Sequence, residues 1–277
     1  NMVWANDNKT LFYSVKDDSL RPYKVMRHVL GTDISEDIAV FTEDDPTFYL
    51  YVGKTKSEKY IVITSESTLS TECCFINADN PCSEFRIFQK RQPDMLYGIG
   101  HYGDSFYILT NIDGAKNFKI MKTPVEKTDS GNWVEVIPHR ENVLIEDFSL
   151  FAEYLVIEER SEGLVRFRVL AYNGGTDYYI DFGEPTYTAS SVANPDFNTR
   201  LFRYGYTSMT TPSSVYEYDL EKHTATLLKR QEVVGGYEPS EYVTERLYAP
   251  SHDGVKVPIS IVYKKGMKKD GTNPLVL

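Results

Sequence analysis

Serine nucleophiles of many hydrolases sit in a Gly-x-Ser-x-Gly elbow, because glycine on both sides tolerates the sharp strand-to-helix turn that exposes the hydroxyl. Gly103-Asp104-Ser105-Phe106-Tyr107 comes nearest in this chain, but it lacks the second glycine and reads as a strand, so Ser105 is expected to be an ordinary edge serine. Five histidines, His28, His101, His139, His223 and His252, are scattered with no partner at metal or catalytic spacing, and a structural or solvated role accounts for each. His252 beside Asp253 is the most suggestive, yet Asp253-Gly254 is a turn signal that explains the tetrapeptide by itself. Cys73, Cys74 and Cys82 fall within ten residues, an odd, clustered set unlike a disulfide framework. The nearest histidine is His101, so no fourth zinc ligand is at hand. These cysteines read as reduced thiols on a strand and in the loop after it, which favours a reducing, cytoplasmic compartment. No catalytic, cofactor-binding or metal-ligating residue is assigned, and no cofactor is expected.

The acidic run Glu158-Glu159-Arg160-Ser161-Glu162-Gly163 reads as a charged β-turn, and Glu43-Asp44-Asp45 as a solvated loop. Thirty Lys and Arg against forty Asp and Glu leave a net charge of −10, which speaks against nucleic acid and would concentrate basic peptides by long-range attraction. Apolar runs stop well short of the roughly 18 residues a membrane helix needs, so no bilayer partner is expected either.

Whatever this chain does must be positioned by strands. Its 277 residues, 41% hydrophobic and 25% charged, are enough for a real core, and 21 Tyr and 14 Phe favour β-structure. Five apolar strands recur in matching surroundings, beginning at Thr10, Tyr60, Phe106, Tyr154 and Leu201, at intervals of 50, 46, 48 and 47 residues. Each is followed by a second strand, such as Tyr23-Lys24-Val25-Met26 or Val215-Tyr216-Glu217-Tyr218, and then by a third, such as Phe85-Arg86-Ile87-Phe88. Another precedes each unit, clearest at Thr47–Val52 and Met95–Ile99. Four antiparallel strands at a period near fifty predict an all-β fold, a β-propeller with five four-stranded blades. A β-sandwich also has many short strands, but it need not repeat at a fixed interval.

The period breaks after Gly235-Gly236-Tyr237. Tyr242–Ala249 and Val257–Tyr263 then flank an Asp-Gly turn and predict a hairpin of a different element. Residues 1–237 are therefore expected to be propeller blades and 238–277 the truncated start of another domain. The chain opens on Asn1-Met2-Val3 with no targeting segment and stops on Asn273-Pro274-Leu275-Val276-Leu277, an apolar strand-like run. It reads as an excerpt of a longer protein.

Several segments go beyond architecture. Trp4–Tyr13, Arg27-His28-Val29-Leu30-Gly31-Thr32, Val136-Ile137-Pro138-His139-Arg140, Arg203–Pro212 and Asp253–Pro258 resemble the oligopeptidase B group of the prolyl oligopeptidase family of serine peptidases, across essentially the whole chain. The resemblance implies a seven-bladed propeller capping an α/β-hydrolase domain, with short peptides cleaved after Lys or Arg in the cavity between them. It places the last five blades here, with the first strands of the hydrolase domain. The family's Ser, Asp and His fall beyond the position matching Leu277, so no site residue carries over.

On this reading the chain is a gate that filters substrates by size and is inactive alone. The implied partners are short basic peptides and the missing peptidase domain in cis. Blades bury both faces against neighbours, so missing neighbours would forfeit on the order of 12 kcal/mol per bare face. Self-association through the bare faces, coverage by the 242–277 tail, or distortion into an irregular arc would answer this. Two other readings are a stand-alone β-propeller binding a protein or peptide, which would have no use for the tail strands, and a propeller glycosidase, which would need two acids facing one cleft.

Overall fold

A computed structural model describes residues 1–276. The β-branched and aromatic runs form strands throughout, with short 3-10 turns at Ile34–Glu36, Ile112–Gly114, Ser130–Asn132 and Pro239–Glu241. The strands come in fours. The first module holds β1 (Met2–Trp4), β2 (Thr10–Lys16), β3 (Pro22–Val29) and β4 (Ile38–Thr42); the second holds β5 (Tyr49–Lys54), β6 (Tyr60–Glu66), β7 (Thr71–Asn77) and β8 (Arg86–Gln89). The third is β9 (Tyr97–Tyr102), β10 (Ser105–Thr110), β11 (Lys119–Pro124) and β12 (Val134–Ile137). These are antiparallel sheets whose neighbours follow chain order. β13 (Leu144–Leu150) comes next, and with these three sheets it lies in a first compact unit, Asn1–Ala152 with Pro195–Phe197.

The second unit, Glu153–Asn194 with Asn198–Leu277, contains β14 (Tyr154–Ser161), β15 (Leu164–Ala171) and β16 (Asp177–Tyr179) as one antiparallel ladder. It also contains a four-stranded sheet of β17 (Tyr187–Ser191), β18 (Leu201–Ser208), β19 (Ser214–Asp219) and β20 (Thr224–Arg230). Among the described residues, the hairpin of β21 (Tyr242–Pro250) and β22 (Lys256–Lys264) forms a two-stranded sheet of its own.

Period-two alternation stacks the sheets. Successive side chains of a strand point to opposite faces, and on β7 this sends Cys74 and Ile76, with Leu50 and Ile61 of the same sheet, toward Phe12 and Val25 of the first sheet. Cys73 and Phe75 point the other way and join Phe88, Tyr97, Phe106 and Trp133. In the second unit Phe167 of β15 packs on Phe202 of β18 with ring centroids 4.9 Å apart, which joins those two sheets in the same manner. A register shift recurs between third and fourth strands, at Val25/Met26, Cys73/Cys74, Ile120/Met121 and Val215/Tyr216. Each bulge bends the outer strand and adds twist.

Three expectations need correction. The run from Glu158 is mostly strand, and only Glu162 and Gly163 form the turn. Glu43 is not solvated: it is 6% exposed, because Arg91 and Ser65 draw its carboxylate inward. Asn273–Val276 is exposed and outside any strand; Leu277 of that run lies outside the described residues.

Candidate functional site

Ser105 opens β10 just after the Gly103-Asp104 turn, where Gly103 has φ +63. Its hydroxyl donates to Asp104 Oδ1 at 3.0 Å, a local turn contact. The five histidines are not brought together. His28 Nδ1 meets Asp37 Oδ1 at 2.7 Å, and Tyr13 donates to the other oxygen of that carboxylate at 2.6 Å. His139 lies 3.9 Å from Glu141, His223 stacks on Tyr178 at 4.0 Å, and His252 is exposed beside Ser251. Cys73 and Cys74 are buried with thiols pushed up to about 12 by burial, and Cys82 is exposed; none is bridged. Among the described residues, no group of three or more His, Cys, Asp or Glu could hold a metal ion. No helix among them is long and apolar enough to cross a membrane.

His101 pairs with a serine far away in sequence. Its Nδ1 shares a 2.8 Å hydrogen bond with Ser57 Oγ, a contact between the β5–β6 turn and β9 that spacing could not reveal. The imidazole is only 4% exposed and wedged edge-on between Tyr60 and Phe106. Burial pushes its pKa down, with the Gly103 backbone contact opposing. A ring so enclosed ties the two sheets together.

A cleft of about 320 Å³ opens next to it, within the first unit. Its walls come from Lys54 and Lys56, from Gly98 to His101, and from Asp147 to Leu150. Gly98 has open space where a Cβ would stand, while a Cβ on Gly100 would lie 2.8 Å from Leu150 and 3.0 Å from Phe148. The glycines therefore do different work: Gly100 lets β13 approach β9, and Gly98 leaves the cleft unfilled. Lys56 lays its ammonium 3.1 Å from the Phe151 ring centroid. Burial holds that amine at about 8 while Asp196 pulls it upward. Both charge signs and bare backbone line this cleft, which suits contact with polar chain segments.

In the second unit a pocket of about 530 Å³ lies between Thr207–Pro212 and Gln231–Val234. Glu184 braces the first of these segments by accepting hydrogen bonds from Tyr206, Thr210 and Thr211 at 2.8–3.1 Å. Burial raises the Glu184 carboxyl, but the hydroxyls of Ser208, Thr211, Tyr206 and Thr210 outweigh it and the net shift is downward. Tyr237 donates to the Thr210 carbonyl at 2.8 Å and ties the outgoing chain to the same loop.

Repeated four-stranded antiparallel modules, stacked face to face within each unit, define an all-β propeller-type scaffold. Residues 1–231 match the sequence profile of the "Prolyl oligopeptidase, N-terminal beta-propeller domain", and the chain belongs to that family. It is similar to dipeptidyl aminopeptidase BI of Pseudoxanthomonas mexicana, at 40% identity over all of this chain and 38% of that protein. Protease 2 of Moraxella lacunata is 32% identical over all of this chain and 39% of its own length. Oligopeptidase B from Trypanosoma brucei, solved in a closed form with covalently bound antipain, superposes with a TM-score of 0.88 at 31% identity, over 99% of this chain and 40% of that one. The chain thus spans about two-fifths of the length of the relatives it matches.

Proposed function

We propose that this chain is the gating, size-filtering propeller portion of a serine oligopeptidase that cleaves short peptides after Lys or Arg, and that the catalytic triad lies outside it. The observation that carries this reading is the β21–β22 hairpin. One of its faces presents Leu247, Ala249, Val257 and Ile259 in cross-strand pairs, and Leu247, Val257 and Ile259 are each more than 40% exposed. A stand-alone propeller has no use for a bare aliphatic sheet face after its last module, whereas the first strands of a further domain require one. The division at 237/238 is supported by a family match that ends at residue 231 and by a hairpin that forms its own sheet.

The names of the relatives support a peptidase, and the covalent antipain complex supports a nucleophilic residue in that class. Charge supports basic substrates: residues 242–277 contain six Lys and Arg against three Asp and Glu, so the remainder carries −13 of the net −10. The unbridged cysteines support a reducing, cytoplasmic setting.

The test compares this 277-residue chain with the product of the complete reading frame on a chromogenic Arg peptide and on an amino-terminal dipeptide substrate. Turnover is expected from the longer protein alone, with the Arg peptide preferred. Serine-dependent turnover by this chain overturns the reading, as does a reading frame with no Gly-x-Ser-x-Gly in the next ~200 residues, a domain's length.

Bare faces carry a second expectation. Met2, Trp4 and Ile38 on the first sheet are 73%, 42% and 51% exposed, and Leu227 and Leu228 on β20 are 43% and 48% exposed. Self-association of the isolated chain through such faces should appear as a mass that rises with concentration in light scattering, and a monomer at every concentration would refute it.

A further inference from the structure

The turn between β14 and β15 consists of Glu162 and Gly163 alone, because Ser161 pairs directly with Leu164. Both residues are left-handed, with φ of +51 and +79. That is the backbone of a type I′ hairpin turn, which asparagine and glycine adopt at little cost and a longer side chain resists. Glutamate is a poor choice for the backbone, so its side chain should have work to do, and it does. Tyr248 donates to Glu162 Oε2 at 3.2 Å, and Arg246 donates to the Glu162 carbonyl. A second point of attachment is the 2.6 Å hydrogen bond from Thr186 Oγ1 to Ser260 Oγ. Gly163 is fitted to the same contact: a Cβ there would lie 3.2 Å from Arg246 Nη2 and 3.9 Å from Pro258 Cγ.

All the gripped residues lie on one face of the hairpin. Arg246 sits opposite Ser260 and Tyr248 opposite Pro258, while the intervening pairs, Leu247–Ile259 and Ala249–Val257, project from the other face. The hairpin is thus held through hydrogen bonds on its polar side and leaves its aliphatic side free. Tyr248 remains 44% exposed even in contact. A solvated hydrogen bond shifts an equilibrium by only about fivefold. Two or three of them make an attachment that can release while every sheet stays folded.

We propose that Glu162, Gly163 and Thr186 form a releasable clasp for the β21–β22 hairpin. The clasp concerns this chain alone. Its consequence for the longer protein rests on the peptidase reading above: there it would govern how readily the segment beyond residue 238 swings away from the β14–β17 sheets.

Pulsed electron spin resonance on the 277-residue chain tests it, with nitroxides at Lys222→Cys and His252→Cys in a Cys82→Ser background. The otherwise unaltered chain should show one dominant distance. Glu162→Ala and Thr186→Val should each add a longer component, and the double variant should raise the open-to-closed ratio by about tenfold or more. Gly163→Asn keeps a residue suited to the turn but presses on Arg246, so it should open the clasp too, and it serves if a deletion variant fails to fold. Identical distributions across all variants with unchanged far-ultraviolet circular dichroism would overturn the clasp. Because no catalysis is read, this result and the peptidase assay can fail independently.

Discussion

Phe106→Ala should cost about 3–5 kcal/mol of stability, the range for removing a fully buried aromatic side chain from a core. Phe106 has no exposed surface, and its ring centroid lies 5.1 Å from those of Tyr60 and Phe75, 5.2 Å from Phe88 and 5.3 Å from His101. It therefore joins the second sheet to the third. The surrounding strands are held by ladders on both sides, so the space cannot close by local collapse, and the cavity adds to the lost burial. Trp133 belongs to the same cluster, so its fluorescence in a urea titration reports the event directly. Ile259→Ala, on the bare face of the hairpin, is the control and should change stability by less than about 0.5 kcal/mol. A loss below about 1 kcal/mol for Phe106→Ala would mean that the sheets do not stack through this cluster.

Arg91→Met should be comparably damaging, through charge and not volume. Arg91 Nη2 lies 2.5 Å from Glu43 Oε2 and 3.1 Å from Ser65 Oγ, and its guanidinium stacks 3.6 Å from the Phe48 ring centroid. Burial raises the Glu43 carboxyl, but hydrogen bonds from Arg91, Ser65 and the Asp45 N–H outweigh it and leave the group below its ordinary value. Taking away the cation leaves a buried carboxylate without its counterion, a loss of about 3–5 kcal/mol at neutral pH. The pH dependence then separates this cause from simple misfolding. With Arg91 present, the ionised pair supports the fold above the ordinary carboxylate pKa of 4.5, and that support fades as pH falls through the lower folded value. In Arg91→Met only burial and two donors act, so the folded value should rise and the variant should regain stability on mild acidification. Glu43→Gln in the same background should also rescue it in part at pH 7. Urea midpoints at pH 7 and pH 5 measure both, and a variant that weakens in parallel with the parent chain at the two pH values would rule the charge argument out.

Residues with short-range causes were legible in advance. Cys73 and Cys74 fall on one strand because Thr71–Asn77 is an unbroken run compatible with the pleat, and the Asp253-Gly254 turn marks the β21–β22 hairpin through its own backbone preference. Glu43, His101 and Glu162 were not legible. The partners of Glu43 and His101 lie 48 and 44 residues away, and those of Glu162 lie 84 and 86 away. Nothing in a local pattern separates a solvated glutamate from one that meets an arginine after folding.

The amino-acid order alone sets the strands, their period near fifty, the break after Tyr237 and the family resemblance, because alternation and turn chemistry act within a few neighbouring positions. The folded arrangement alone decides which acids are buried, where glycines open a cleft or admit a neighbouring strand, and that one face of the last hairpin is gripped while the other is bare. Those outcomes depend on which faces meet once sheets stack, a relation between segments tens of residues apart.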